Sequence, residues 1–244
     1  MLEKCMTILE CITSDSQCNS LSDIAKKTKI PKTTVYRLLN MMVDCNMLIE
    51  RVSGGYVVSD RLVSICLKGD KDTNFLSVLI PIADSLRNET HETVSINVVS
   101  GAERMCIYRA QGDQIITRMV QIGSHAPLFF GASGRVLAAA LDEKAFNLAI
   151  NFALSVGDFD EREKDSVIEK INKDKRRGYV LSIEERHKGC ASLALPVKRQ
   201  ITGETVAALS ISATAERMKD PQIFDRYFKL IKRAVAEANA KIVM

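Results

Sequence analysis

SLSDIAKKTKIPKTTVYRLLNMMVDCNMLIER, residues 20–51, holds two short helical patterns with almost nothing between them and a middle without negative charge. From Ile24 to Val43 there are five bases, Lys26, Lys27, Lys29, Lys32 and Arg37, and no Asp or Glu. Ser20 and Asp23 stand at the separation of a capping box, and Leu21, Ile24 and Ala25 follow at helical spacing. Pro31 biases Ile30 out of the helical region and suits the first position of a new helix, so the spacing predicts a break at residues 28–30. Beyond it Val35, Leu38, Leu39 and Met42 share one face. The opposite face carries Thr33, Tyr36, Arg37 and Asn40 at i, i+3, i+4 and i+7, with Lys32 and Thr34 at its amino end.

Two short helices joined by a turn of three or four residues, the second polar and basic outside, form the helix-turn-helix pattern. Lys26, Lys27 and Lys32 are expected to meet phosphates of double-stranded DNA, and Thr33, Thr34, Tyr36, Arg37 and Asn40 its bases or phosphates. The segment LIERVSGGYVVS supplies the rest of a winged module: two β-rich runs flank Ser53-Gly54-Gly55, and paired glycines favour a two-residue hairpin. Residues 2–13 form an amphipathic helix with Leu2, Met6, Leu9 and Ile12 as its apolar residues. The expected organisation is a DNA-binding domain over 1–59, a linker helix and loop over 60–74, and a second domain over 75–244.

Length and composition agree with two domains, since 244 residues exceed the average domain of about 150. Apolar residues make up 46% and charged residues 26%, an ordinary balance, and no apolar run approaches the roughly 18 residues of a membrane span. The amino terminus carries Glu3 and Glu10 and lacks a small-residue cleavage site, so a cytoplasmic location is expected. Seven cysteines, at 5, 11, 18, 45, 66, 106 and 190, include no C-x-x-C pair and read as reduced thiols. The net charge is only +4, and residues 1–60 balance seven bases against seven acids, so the signal is the crowding of bases into the opening stretch.

The second domain begins with a helical stripe, Leu76, Leu79, Ile80, Ala83 and Leu86, that Pro81 should kink or start late. Strands are predicted at TVSINVVS, RMCIYRAQ and IITRMVQ, then helical spacing over 133–150. A charged helix follows with Val167, Ile168 and Ile171 inward and Gly178 as its stop. YVLSIE, ASLALPVK and TVAALSISA are further strands, and a final helix over 220–243 aligns Phe224, Phe228, Ile231 and Val235. The class is α+β, with helices against a mostly antiparallel sheet. Ser210 and Ser212 lie two apart on a strand and so point to one face; with Ser133 near a helix start they could donate to a carboxylate.

The chain resembles the isocitrate lyase regulator (IclR) family of transcription factors over nearly its whole length. The resemblance is carried in order by LSDIAKKTKIPKTTVYRLLNMM, HETVSINVV, PLFFGASGRVLAA, RRGYVLSIEERHKGCASLALPV and VAALSISA. It implies a winged helix-turn-helix followed by a GAF-like effector-binding domain that senses a small metabolite such as an organic or sugar acid. It also implies a homodimer or dimer of dimers on a palindromic operator, with no cofactor. The effector pocket it implies comprises Ile116 and Met119 on one strand, Ala132 and Ser133 in the loop before a helix, Ser182, Cys190, Ser192, Ser210 and Ser212. Where the family commonly has His-Ala, this chain has Phe129-Phe130, and where it commonly has Asp and Cys, it has Ser182 and Ser192. A pocket so altered, with Phe129 and Phe130 as added apolar walls, implies a ligand less polar or differently shaped than a two-carbon acid.

An enzyme is the contrasting class. Ser133 invites comparison with the G-x-S-x-G nucleophile elbow, which Gly131-Ala132-Ser133-Gly134-Arg135 does not complete. His91, His125 and His187 have no Cys or Asp at an instructive spacing, so neither catalysis nor a metal site is expected. The remaining alternative is an architectural DNA-binding protein whose second domain only oligomerises.

Overall fold

In the computed structural model, which describes residues 1–14, 19–51, 54–62, 75–113 and 121–242, the chain divides into two units, Met1–Asn74 and Phe75–Met244. The first contains α1 (Leu2–Ser14), α2 (Leu21–Thr28), α3 (Lys32–Asp44), β1 (Leu48–Glu50) and β2 (Tyr56–Val58). Ser20 caps α2 by accepting from the Asp23 N–H, and Lys29 ends it in the left-handed region at φ 57°. Pro31 is the residue before α3 rather than its first, and its carbonyl accepts from Val35 N at 3.0 Å. The three residues 29–31 form the turn.

Ile8, Ile12, Ile24, Val35, Leu38, Leu39, Met42, Leu48 and Tyr56 make the core of this unit. The stripe expected on α1 is corrected by this packing. Ile8 and Ile12 face the core, whereas Leu2 and Met6 are 79% and 52% exposed. β1 and β2 pair antiparallel, Glu50 opposite Tyr56, so the connection spans residues 51–55 and is longer than the two-residue turn that Gly-Gly suggested. Arg51 and Gly55 still close it, with Arg51 N donating to Gly55 O at 2.9 Å and Gly54 and Gly55 both at positive φ. Most of the linker helix and loop expected over 60–74 lies outside the described residues.

The second unit is built on a six-stranded antiparallel sheet in the order β5-β4-β3-β8-β7-β6. Its strands are β3 (Thr93–Ser100), β4 (Glu103–Ala110), β5 (His125–Pro127), β6 (Val180–Ile183), β7 (Cys190–Lys198) and β8 (Thr205–Thr214). The helices are α4 (Phe75–Thr90), α5 (Gly131–Ala138), α6 (Glu143–Val156), α7 (Lys164–Arg177), α8 (Ala215–Lys219) and α9 (Pro221–Lys241). α4 runs through Pro81 without a break; the proline is on the exposed side, where water can meet the carbonyl that its missing N–H leaves free. The helical spacing over 133–150 belongs to two helices, because Asp142 caps a fresh start by accepting from Ala145 N at 2.7 Å. The strand expected at IITRMVQ falls almost wholly outside the described residues. The short β5, which pairs with β4, had no sequence signal of its own.

Each long strand divides its residues between two layers, as the period of two requires. Leu209 and Ile211 of β8, Leu193, Leu195 and Val197 of β7, and Val94 and Ile96 of β3 pack against α4 and α9. The other face is small or polar: Ala194 and Ala208 join α5, α6 and α7 in a second core, and the positions beside them are serines. α9 meets the sheet through Tyr227, Ile231, Ala234, Val235 and Ala238, while Phe224 and Phe228 of its expected face are only partly buried beside Tyr179.

Candidate functional site

α3 is held by its buried face and offers the other to solvent. Val35, Leu38, Leu39 and Met42 are buried, Lys32, Thr33, Tyr36 and Arg37 are exposed, and Thr34 and Asn40 are half-buried at the edge. Lys26 and Lys27, in the last turn of α2, are exposed as well. A helix turned outward with donors, acceptors and cations is what insertion into a major groove demands, since base edges are read by such groups and phosphates by lysines. All eight positions expected to meet DNA therefore belong to one compact unit and none is locked in its core.

In the second unit a cavity of about 110 Å³ lies between the sheet and the first turn of α5. Gly134 lets the chain that leads into this helix fold back against it: a Cβ there would sit 2.6 Å from the Leu128 carbonyl oxygen and 2.7 Å from that of Pro127. Ser210 and Ser212 of β8, Ser192 and Cys190 of β7 and Ser182 of β6 line the cavity from the sheet. They share a face because β7 and β8 pair Ser192 with Ser212, and β6 and β7 pair Ser182 with Ser192. Ala132 and Ser133 line it from the helix. Ser133 stands within the first turn of α5 and not in a preceding loop.

Three polar residues that sequence reasoning missed complete the floor. Arg104 is 7% exposed, and its guanidinium donates to Asn97 Oδ1 at 2.7 Å. Asn97, fully buried, donates in turn from Nδ2 to Ser95 Oγ at 3.0 Å and to Ser133 Oγ at 3.3 Å. Ser95 Oγ and Ser210 Oγ lie 2.8 Å apart. A guanidinium can only donate, which fixes the Asn97 amide with its oxygen toward Arg104. Burial, and next the nearby Arg186 charge, pull the Arg104 pKa down to about 10, still well above neutrality.

A register shift brings Arg104 here. β3 and β4 pair Ile96 with Tyr108 but Asn97 with Cys106, so Ile107 is an extra residue in β4. Before the shift Tyr108 faces α4 and bonds Asp84 Oδ1 at 2.6 Å; after it, Cys106 and Arg104 share the face of Asn97. In an unbroken ladder Arg104 would point to the opposite face. Interleaved Ser95 and Asn97 in TVSINVVS were a legible signal of a polar face; the phase change in β4 was not.

The rim is braced by a second charged group. Arg135, 3% exposed, pairs with Asp174 at 2.9 Å and with Glu185 at 2.6 Å, and Lys170 reaches Glu185 at 3.0 Å. Glu185 also accepts from Gly131 N, the first N–H of α5, at 3.3 Å. Burial raises the Asp174 carboxyl above its ordinary range despite Arg135. Burial also opposes ionisation of Glu185, but the Lys170 hydrogen bond and the Arg135 charge outweigh it and hold that carboxyl low.

Of the expected pocket residues, Ala132, Ser133, Ser182, Cys190, Ser192, Ser210 and Ser212 meet at this cavity, and Ile116 and Met119 lie outside the described residues. Phe129 and Phe130 do not line it, which corrects the expectation of aromatic walls. Phe129 is buried edge-on to Phe146 and Phe159, with ring centroids 5.6 and 5.7 Å away, and Phe130 leans on Phe159. They sit just before α5, and their rings join the second core. Among the described residues no cluster of His, Cys, Asp and Glu could hold a metal ion, and no helix is long and apolar enough to cross a membrane.

Comparison with known proteins bears on both units. Residues 1–50 match the IclR helix-turn-helix domain and residues 71–240 the bacterial transcriptional regulator IclR C-terminal domain. The chain is similar to the HTH-type transcriptional regulator KipR of Bacillus subtilis, with 22% identity covering 91% of this chain and 89% of that one. The Thermotoga maritima IclR crystal structure superposes with a TM-score of 0.69 at 21% identity, covering 100% of this chain and 98% of that one. An IclR homolog from Microbacterium hydrocarbonoxydans complexed with 4-hydroxybenzoate superposes with a TM-score of 0.71 at 18% identity, covering 99% and 98%.

Proposed function

We propose, for a chain that belongs to the IclR family of DNA-binding transcriptional regulators, that its second unit senses a small metabolite and that the bound ligand changes operator affinity. The observation that carries this reading is the hydroxyl-lined cavity of about 110 Å³ between the sheet and α5. Serines at Ser182, Ser192, Ser210 and Ser212 remove bulk from a sheet face that would otherwise be filled, and leave donors and acceptors at its floor. The relative that binds 4-hydroxybenzoate supports a small organic ligand. Coupling requires the ligand to bind one DNA-binding conformation better than the other; 1 to 3 kcal/mol, about 5- to 150-fold in operator affinity, is the ordinary range.

The test is a titration of operator binding with and without effector in the parent and in a Ser210→Ala/Ser212→Ala variant. The double variant is expected to bind the operator normally and lose its response. An unchanged response would move the sensor elsewhere, and a parent that responds to no small molecule would favour an architectural protein.

We further propose a homodimer, or dimer of dimers, on a palindromic site, because one recognition helix reads only a few base pairs and two-fold symmetry doubles the footprint. Exposed Leu2 and Met6 on α1 support pairing between DNA-binding units. Sedimentation at micromolar concentration is expected to give dimers or larger; monomers alone would defeat this part of the proposal.

A further inference from the structure

We infer that Arg104 is the charge-selecting residue of the cavity and that the ligand is a small monoanion seated between its guanidinium and the first turn of α5. The inference rests on the sensing role proposed above and adds the sign of the ligand's charge and the group that recognises it.

A guanidinium with 7% exposure carries a large desolvation cost, which proteins ordinarily offset with a carboxylate. Among the described residues, none is paired with Arg104. No carboxylate among them reaches it: its guanidinium donates to the neutral oxygen of Asn97, and it lines the cavity. Glu185 also lines the cavity, but Arg135 and Lys170 already engage it. Arg186, at the exposed rim, acts on Asp158 through its charge. Among the described residues Arg104 is therefore the buried cation of this cavity without a counter-charge, and the Arg186 guanidinium at the rim adds to the positive potential around it; one buried unpaired cation calls for one anionic group on the ligand.

Geometry gives the same answer from the helix side. The first turn of an α-helix leaves N–H groups without intrahelical partners and carries a positive partial charge. Glu185 takes the Gly131 N–H, and Ala132 and Ser133 follow it at the cavity wall. A carboxylate there would accept from Arg104 on one side and from the helix and the Ser133 hydroxyl on the other, the arrangement that makes charge-assisted bonds strong. The cavity is on the order of ten times the space of one water, which limits the ligand to a small molecule. The chain from Asn97 through Ser95 to Ser210 fixes the guanidinium in place before the ligand arrives.

The experiment compares small carboxylates with their uncharged amides: acetate with acetamide, lactate with lactamide, benzoate with benzamide. The full chain is melted at constant ionic strength over increasing concentrations of each. In the parent at least one carboxylate is expected to raise Tm with concentration while its amide does not. Arg104→Met should stay folded, since an apolar group of similar length relieves the buried charge, and should bind that carboxylate roughly 10- to 100-fold more weakly. Arg104→Lys should retain part of the preference. Affinity should fall as pH rises above the Arg104 pKa of about 10, and because His187 and Cys190 also line the cavity, the part of the pH profile that disappears in Arg104→Met is the part assigned to the guanidinium.

The inference is overturned if no carboxylate of the panel stabilises the parent, if amides serve equally well, or if Arg104→Met binds carboxylates as the parent does. Amides that shift operator affinity through the cavity would sink the charge assignment and leave the sensing role standing. Carboxylates that bind through Arg104 without changing operator affinity would do the reverse.

Discussion

Arg37→Ala is expected to weaken operator binding by about 1 to 3 kcal/mol in each half-site, roughly 5- to 150-fold, and by the square of that in a two-fold complex. The size follows from loss of a bidentate contact to a base edge by an exposed guanidinium on the outward face of α3. Stability should hardly move, because Arg37 belongs to no core contact of the first unit. Lys26→Gln is the contrast: losing a phosphate contact should weaken all sequences alike and flatten the salt dependence by about 0.9 in log–log slope per contact. Binding isotherms on operator and scrambled DNA at several salt concentrations separate the two. An Arg37→Ala protein that binds operator as tightly as the parent would remove Arg37 from the reading surface.

The second large effect is expected on stability. Arg135→Met should cost about 3 to 5 kcal/mol, because it strands Asp174, 9% exposed, and Glu185, 20% exposed, without their guanidinium. That is a large part of the ~5 to 15 kcal/mol that holds a domain together. Its pH dependence has a definite sign. Asp174 already lies above the ordinary range in the parent, so its contribution favours lower pH and is lost as pH rises through its folded pKa. Without Arg135 that pKa rises further. Glu185, held low in the parent, contributes stability above its unfolded pKa, and the variant forfeits it. The deficit should be full at neutral pH and shrink as pH falls into the carboxylate range. Urea unfolding at about pH 5 and 7.5 measures it; a deficit independent of pH would mean that lost packing, and not stranded charge, is the cause.

Both regions were read from sequence to different depths, for physical reasons. The stretch 20–51 was legible because a capping box, a proline and two short periodic runs are local signals that tertiary context did not override. α1 was legible as a helix but not in its buried side, since Leu2, Cys5, Met6, Ile8, Leu9, Cys11 and Ile12 cover most of its circumference and periodicity cannot choose among them. α9 misled in the same way: Phe224 and Phe228 drew the stripe, while the sheet leaves room for Tyr227, Ala234 and Ala238. In β7 and β8 strict alternation placed the serines on one face. Arg104 escaped because Ile107 breaks that alternation. Phe129 and Phe130 lie beside the cavity in sequence and enter a neighbouring core in space.

The extra residue in β4 has a consequence for how such a pocket could change its taste over descent. Substitution alters a side chain where it stands, whereas a slip that pairs Ile107 with Asn97 and moves the extra residue into the turn would turn over every position of β4 nearer the turn, carrying the guanidinium across the sheet and Met105 into its place. A cationic floor would become an oily one with the serines of β7 and β8 untouched. The register of this one hairpin, more than drift in the lining, would then separate lineages that answer to acids from lineages that answer to neutral molecules.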